Sequence, residues 1–137
     1  MLYRNPDLVP QAVEELLRFI PLGSGGGFPR LATEDIEVGG VTVREGEAVF
    51  VYTPSGNRDA SVFDDPETLD VTRADNPHMA FGHGVHHCLG APLARMEMRT
   101  AFPALFRRFP ALRAVDDDVR FRSFHVVYGL TELQVAW

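Results

Sequence analysis

FGHGVHHCLG, Phe81 to Gly90, gathers three histidines, three glycines and the chain's only cysteine into ten residues. Four uses of that lone thiol are open at the outset: a zinc ligand, a nucleophile, a small buried core residue, or the single thiolate of a haem. A structural zinc site takes four ligands, usually in paired spacings. His83, His86, His87 and Cys88 crowd one short segment with no second cluster elsewhere. A cysteine nucleophile needs an oriented base near it in space, and nothing around Cys88 matches a local protease signature. Covalent c-type haem attachment needs C-x-x-C-H, which is absent. A buried thiol is the starting point for any single cysteine, yet it leaves the glycines unexplained. Gly82 and Gly84 allow a tight turn with positive φ, and Gly90 removes a side chain beside the sulfur. Pro92, lacking an N–H, suits the first turn of a helix. Cys88 is therefore expected at or just before a helix N-terminus, where the dipole and free amides favour a thiolate. A thiolate in a glycine-lined turn with open space above it is what an axial haem ligand requires.

Working outward, Leu8 to Ile20 reads as a helix. Val13, Leu16, Leu17 and Ile20 fall at helical spacing, with Pro10 in the first turn and Pro21 ending it. Gly23 to Gly27 is a flexible loop without the lysine of a phosphate-binding loop. Ile36–Val38 and Val41–Val43 alternate around Gly39-Gly40, a two-residue hairpin signal, and Ala48 to Tyr52 is expected as a third strand. Thr53 to Pro77 is a long meander of little periodicity, rich in proline and aspartate. Ala91 to Phe109 is a helix with Leu93, Met96, Leu105 and Phe109 on its apolar side, kinked or split by Pro103. Asp116 to Asp118 is a solvated turn, and Phe121 to Trp137 ends in short strands with Leu133, Val135 and Trp137 alternating.

The composition bounds the rest. The chain has 137 residues, 45% of them apolar and 23% charged, enough for one modest core and ordinary for a globular chain. The net charge of −6 argues against general nucleic-acid binding. No apolar run approaches the roughly 18 residues of a membrane span, and the N-terminus lacks a signal-peptide pattern. A single cysteine makes a reducing cytoplasm the default. All thirteen basic residues are arginine.

Phe81 to Gly90 resembles the cysteine-ligand loop of the cytochrome P450 family, the haem-thiolate monooxygenases, matching Phe-Gly-x-Gly-x-His-x-Cys-x-Gly throughout. EELLRF, with Glu15 and Arg18, resembles the family's Glu-x-x-Arg helix. FPRLATEDIEVGGVTV and GNRDASVFDDPETLDVTR resemble the segments that follow it, and APLARMEMR the helix behind the loop. The order and spacing are similar to those of soluble bacterial members, from Leu8 to Trp137. The fold this implies is α+β, mainly α with short β-hairpins, in one partial domain spanning 1–137: the C-terminal portion of the family's fold.

The resemblance implies haem b with its iron on the Cys88 thiolate and Phe81 beside the sulfur. Of the glycines at the haem, Gly82 would shape the turn and Gly90 leave room for a flat group, and His86 and Arg30 would meet the propionates. His83 and His87 match variable positions. Glu15 and Arg18 taken alone are an i,i+3 pair worth about 0.2–0.5 kcal/mol if exposed; the resemblance buries them in a network with Arg73. Leu22 to Phe28 and Ser123 to Val127 would face substrate. The distal helix that delivers protons to dioxygen and the N-terminal helices of the family have no match here. That makes the chain a truncated product, a remnant or one piece of a split protein. Two functions compete: a monooxygenase acting on a small organic substrate, or a non-catalytic haem-binding or interaction module. Partners would be haem, a missing N-terminal half, and a ferredoxin or flavin-type electron donor. Such a donor would meet a basic face of Arg95, Arg99, Arg107, Arg108 and Arg113, in which Glu97 is the only acid from Ala91 to Val115.

Overall fold

The computed structural model describes residues 2, 4–23, 28–115, 119–122 and 127–137. A 3-10 turn, Pro6–Leu8, leads into helix α1, Val9–Phe19, with Pro10 in its first turn. Ile20 is already extended ahead of Pro21, so the helix stops where its next residue could not donate. Val9, Val13 and Leu17, one turn apart, form the buried stripe of α1. Leu16 is only half-buried and Ile20 is exposed, so the apolar face is narrower than the periodicity predicts.

Four short strands follow: β1, Arg30–Leu31; β2, Ile36–Val38; β3, Val41–Val43; and β4, Ala48–Val49. The β2–β3 hairpin turns at Gly39 and Gly40, whose φ values of 57° and 80° are the left-handed pair that a two-residue turn requires. The strand expected over Ala48 to Tyr52 is only two residues long. Its partner, β1, offers just Arg30 and Leu31 for pairing, so the ladder runs out at Val49. Thr53–Gly56 then forms a one-turn helix, α2, at the head of the meander.

Helix α3, Ala91–Arg108, passes through Pro103 as one element and is not split. Its apolar contact with α1 is made by Met98 and Phe102, which pack on Val9, Val13 and Leu17 together with Ala80 and Phe81. The face predicted to be apolar is the other one: Leu93, Met96 and Leu105 are exposed. The chain closes with β5, Arg113–Ala114, antiparallel to β6, Val135–Ala136. Phe121 also bridges to Leu130, and its ring stacks on Tyr128 at 4.6 Å.

Two long helices and three separate two-stranded pairs give the mixed fold expected from the sequence. The chain exposes 10318 Å², where a compact monomer of 15.2 kDa would expose about 7,100 Å². The excess is rich in apolar side chains, among them Phe28, Leu31, Phe50, Leu93 and Met96. None of the helices among the described residues is long and apolar enough to cross a membrane.

Candidate haem-thiolate site and its supporting networks

The loop from Phe81 to Gly90 is built by its glycines. Gly82 and Gly84 both adopt φ of 73°, a conformation strained for any residue with a side chain. The Gly82 N–H donates to the Met79 carbonyl at 2.9 Å, and the His87 N–H to the Gly84 carbonyl at 3.0 Å, closing the 3-10 turn Gly84–His86. The Cys88 N–H then reaches back to the Phe81 carbonyl at 3.0 Å, which ties the two ends of the turn together. Gly90 is the N-cap of α3, so Cys88 lies just before the helix, as expected; its own carbonyl accepts from the Ala91 N–H at 3.2 Å.

The Cys88 thiol is exposed. So are its apolar neighbours Val85, at 97%, and Leu89, at 99%. Apolar side chains this bare beside an exposed cysteine are costly in water unless something covers them. A Cβ added at Gly90 would meet only the Cys88 Sγ, at 3.7 Å, so the missing side chain leaves clear space against the sulfur. One exposed sulfur donor, open room beside it and bare apolar flanks fit a flat, apolar group carrying a metal with one coordination position to fill.

Phe81 is half-buried at the start of the loop, with the rings of His78 and His87 each 6.5 Å away and the Arg95 guanidinium over its ring at 4.8 Å. Arg30 lies on β1 in register with Val49, and His86 ends the 3-10 turn; both are exposed. No hydrogen bond or ion pair among the described residues ties either to Cys88. Residues 24–27, 116–118 and 123–126 lie outside the described residues, and with them most of the two stretches expected to face substrate and the acidic turn. Their edges do meet: Gly23 bridges to Val127, and the Tyr128 N–H donates to the Leu22 carbonyl at 3.1 Å.

Beneath the loop, Glu15 and Arg18 are fully buried and doubly hydrogen-bonded, at 2.7 and 2.8 Å. Arg18 also donates to three meander carbonyls: Asn57 and Pro66 at 2.8 Å, and Thr68 at 3.0 Å. Glu15 accepts from the Asp70 N–H at 2.9 Å, Asn76 Nδ2 at 2.9 Å and Arg73 Nε at 3.3 Å. The three charged residues therefore form one network, as the resemblance implies. Phe63 (buried), Asn57 and Asn76 were not anticipated. Phe63 lies under both Arg18 and Arg73, at 5.2 and 6.0 Å. Burial pushes the Glu15 carboxyl up, but the bonds from Arg18 and Asp70 and the charge of Arg73 outweigh it and hold it below the usual range.

Glu14 faces the opposite way, onto α3. It accepts from His78 Nε2 at 3.0 Å, Arg95 Nε at 2.9 Å and Arg99 Nη2 at 2.7 Å. This overturns one reading of the sequence: Arg95 and Arg99 are not part of a free basic face, because both pair with one carboxylate from another helix, which cancels one of their two charges. Nothing in the local spacing around Arg95 could show that.

The family profile for cytochrome P450 matches residues 5–129. The nocardicin C N-oxygenase of Nocardia uniformis subsp. tsuyamanensis is 58% identical, covering 100% of this chain and 35% of that protein. The mycinamicin IV hydroxylase/epoxidase of Micromonospora griseorubida is 47% identical over 97% of this chain and 34% of its own. The crystal structure of the LnmA cytochrome P450 hydroxylase from the leinamycin biosynthetic pathway of Streptomyces atroolivaceus superposes with a TM-score of 0.93. It is 52% identical, over 99% of this chain and 36% of that one. With the fold, the loop and the family profile in agreement, the chain belongs to the cytochrome P450 family. It spans about a third of the length of the relatives it matches.

Proposed function

We propose that this chain is the haem-ligand portion of a haem-thiolate monooxygenase, a single partial domain in which Cys88 holds the iron of haem b. The observation that carries this reading is the exposed Cys88 thiol in its glycine-built turn, flanked by bare apolar side chains and backed by Phe81. In this reading Gly82 shapes the turn and Gly90 leaves room for the macrocycle. Phe81 keeps water from the sulfur, and Arg30 and His86 donate to the propionates, for which a forked guanidinium and an imidazole N–H are suited. When bound, the haem supplies the redox chemistry by which one atom of dioxygen enters a small organic substrate. The relatives' names, an N-oxygenase and a hydroxylase/epoxidase, support that reaction class. The single cysteine supports a cytoplasmic location. Titrating the chain with haem and recording the reduced, carbon monoxide-bound spectrum tests the reading. A strongly red-shifted Soret band is expected, and a band typical of imidazole ligation would overturn it.

The bare surface supports a second reading, in which the chain binds haem without turning over. About 3,000 Å² beyond that of a compact monomer is available to a covering N-terminal part. Turnover with that part supplied, and none without it, is the expected result; turnover by the chain alone would sink the second reading.

An acidic ferredoxin or flavin-type donor remains the proposed source of electrons, but on different arginines. Arg107, Arg108 and Arg113 are exposed, with Arg107 donating to the Pro103 carbonyl of its own helix and Arg108 lying over Phe109. Reversing Arg107 and Arg108 to glutamate should slow association with such a donor several-fold at low salt and little at high salt. Parallel salt dependences for variant and parent would exclude this face.

A further inference from the structure

We propose that Glu14 is a positioning residue for the sulfur, clamping both ends of the Cys88 loop to α1. His78 stands just before the loop and Arg95 just after it, and one carboxylate holds both. The bond to His78 has a defined direction. His78 Nδ1 accepts from the Ala80 N–H at 3.2 Å, so the ring proton sits on Nε2 and is donated to Glu14. The His78 side chain is only 2% exposed and that of Glu14 23%, so water reaches this bond only from the carboxylate side. Arg95 points its Nε at Glu14 and lays its guanidinium over Phe81 at 4.8 Å. Both partners of Glu14 thus lie near the Phe81 ring, with the His78 ring centre 6.5 Å and the Arg95 guanidinium 4.8 Å from its centre. The Phe81 carbonyl in turn holds the Cys88 N–H. Glu14 reaches the sulfur through that chain of contacts, separately from the neighbouring Glu15, which faces the meander.

The clamp rests on Cys88 being the iron ligand for its consequence, though not for its existence, and two measurements keep these apart. The first needs no haem: amide hydrogen exchange of the full chain carrying Glu14→Ala. Exchange at Cys88 and His87 should accelerate about tenfold, the loss expected for charge-assisted hydrogen bonds. The Phe63 amide, which donates to Asp59 in the meander, should stay at the parent rate. Unchanged exchange at Cys88, or equal acceleration at Phe63, would overturn the clamp. The second uses the haem-loaded chain: the red-shifted carbon monoxide band of Glu14→Ala should convert to the unshifted form about tenfold faster than in the parent, with Glu14→Gln between them. A parent that never shows the red-shifted band overturns the ligand reading, while the exchange result still decides the clamp. A parent band whose lifetime Glu14→Ala leaves unaltered overturns the positioning role.

Discussion

Cys88→Ser is expected to abolish the red-shifted Soret band of the reduced, carbon monoxide-bound protein completely. The effect is all-or-none because a serine hydroxyl cannot supply the thiolate charge that shifts the band. The substitution should leave the fold intact. Cys88 is exposed, and the bond that ties it to Phe81 is made by its backbone N–H, which serine keeps. Chemical unfolding should therefore move by no more than about 0.5 kcal/mol. A red-shifted band that survives in Cys88→Ser would overturn Cys88 as the source of the shift, since the chain has no other cysteine.

The largest expected stability effect lies one layer deeper. Glu15→Ala leaves the Arg18 guanidinium buried with only carbonyls for company, a loss of about 3–5 kcal/mol, against a few tenths for an exposed pair. Denaturant unfolding at pH 7 measures it, and a change of a few tenths would show that the meander is held by other means. The same carboxylate sets an acid limit. Its pKa is lower in the folded chain than in the unfolded one, so its stabilisation is fully present above the unfolded value of about 4.3. That stabilisation is lost as pH falls through the lower folded value. Glu15→Gln should flatten the loss of stability between neutral pH and that acid region.

The elements legible in the sequence are those whose cause is local. Helix α1 followed from its apolar spacing and Pro21, the β2–β3 hairpin from Gly39-Gly40, and the loop before α3 from its glycines and Pro92. What escaped was set by distant residues. Glu14 and His78 are 64 positions apart, and Glu14 and Arg99 are 85 apart, so the pairing of these α3 arginines could not be seen from α3. The exposed face of α3 failed for a related reason: Leu93 and Met96 have the spacing of a core stripe, but α1 packs on Met98 and Phe102 instead. Ala48 to Tyr52 has the composition of a strand and lacks a partner long enough to pair all of it.

Glu14 and Glu15 are consecutive residues on a helix that advances about 100° per residue, and they hold two different faces of it to two different segments. One grips the histidine and arginines around the cysteine; the other grips the meander. Helix α1 is in that sense an axle with two spokes. A roll about its axis would carry both carboxylates at once, so neither set of bonds shifts without disturbing the other. The seat of the sulfur and the shape of a segment more than 50 residues from α1 in the sequence are thereby set by a single rotation angle.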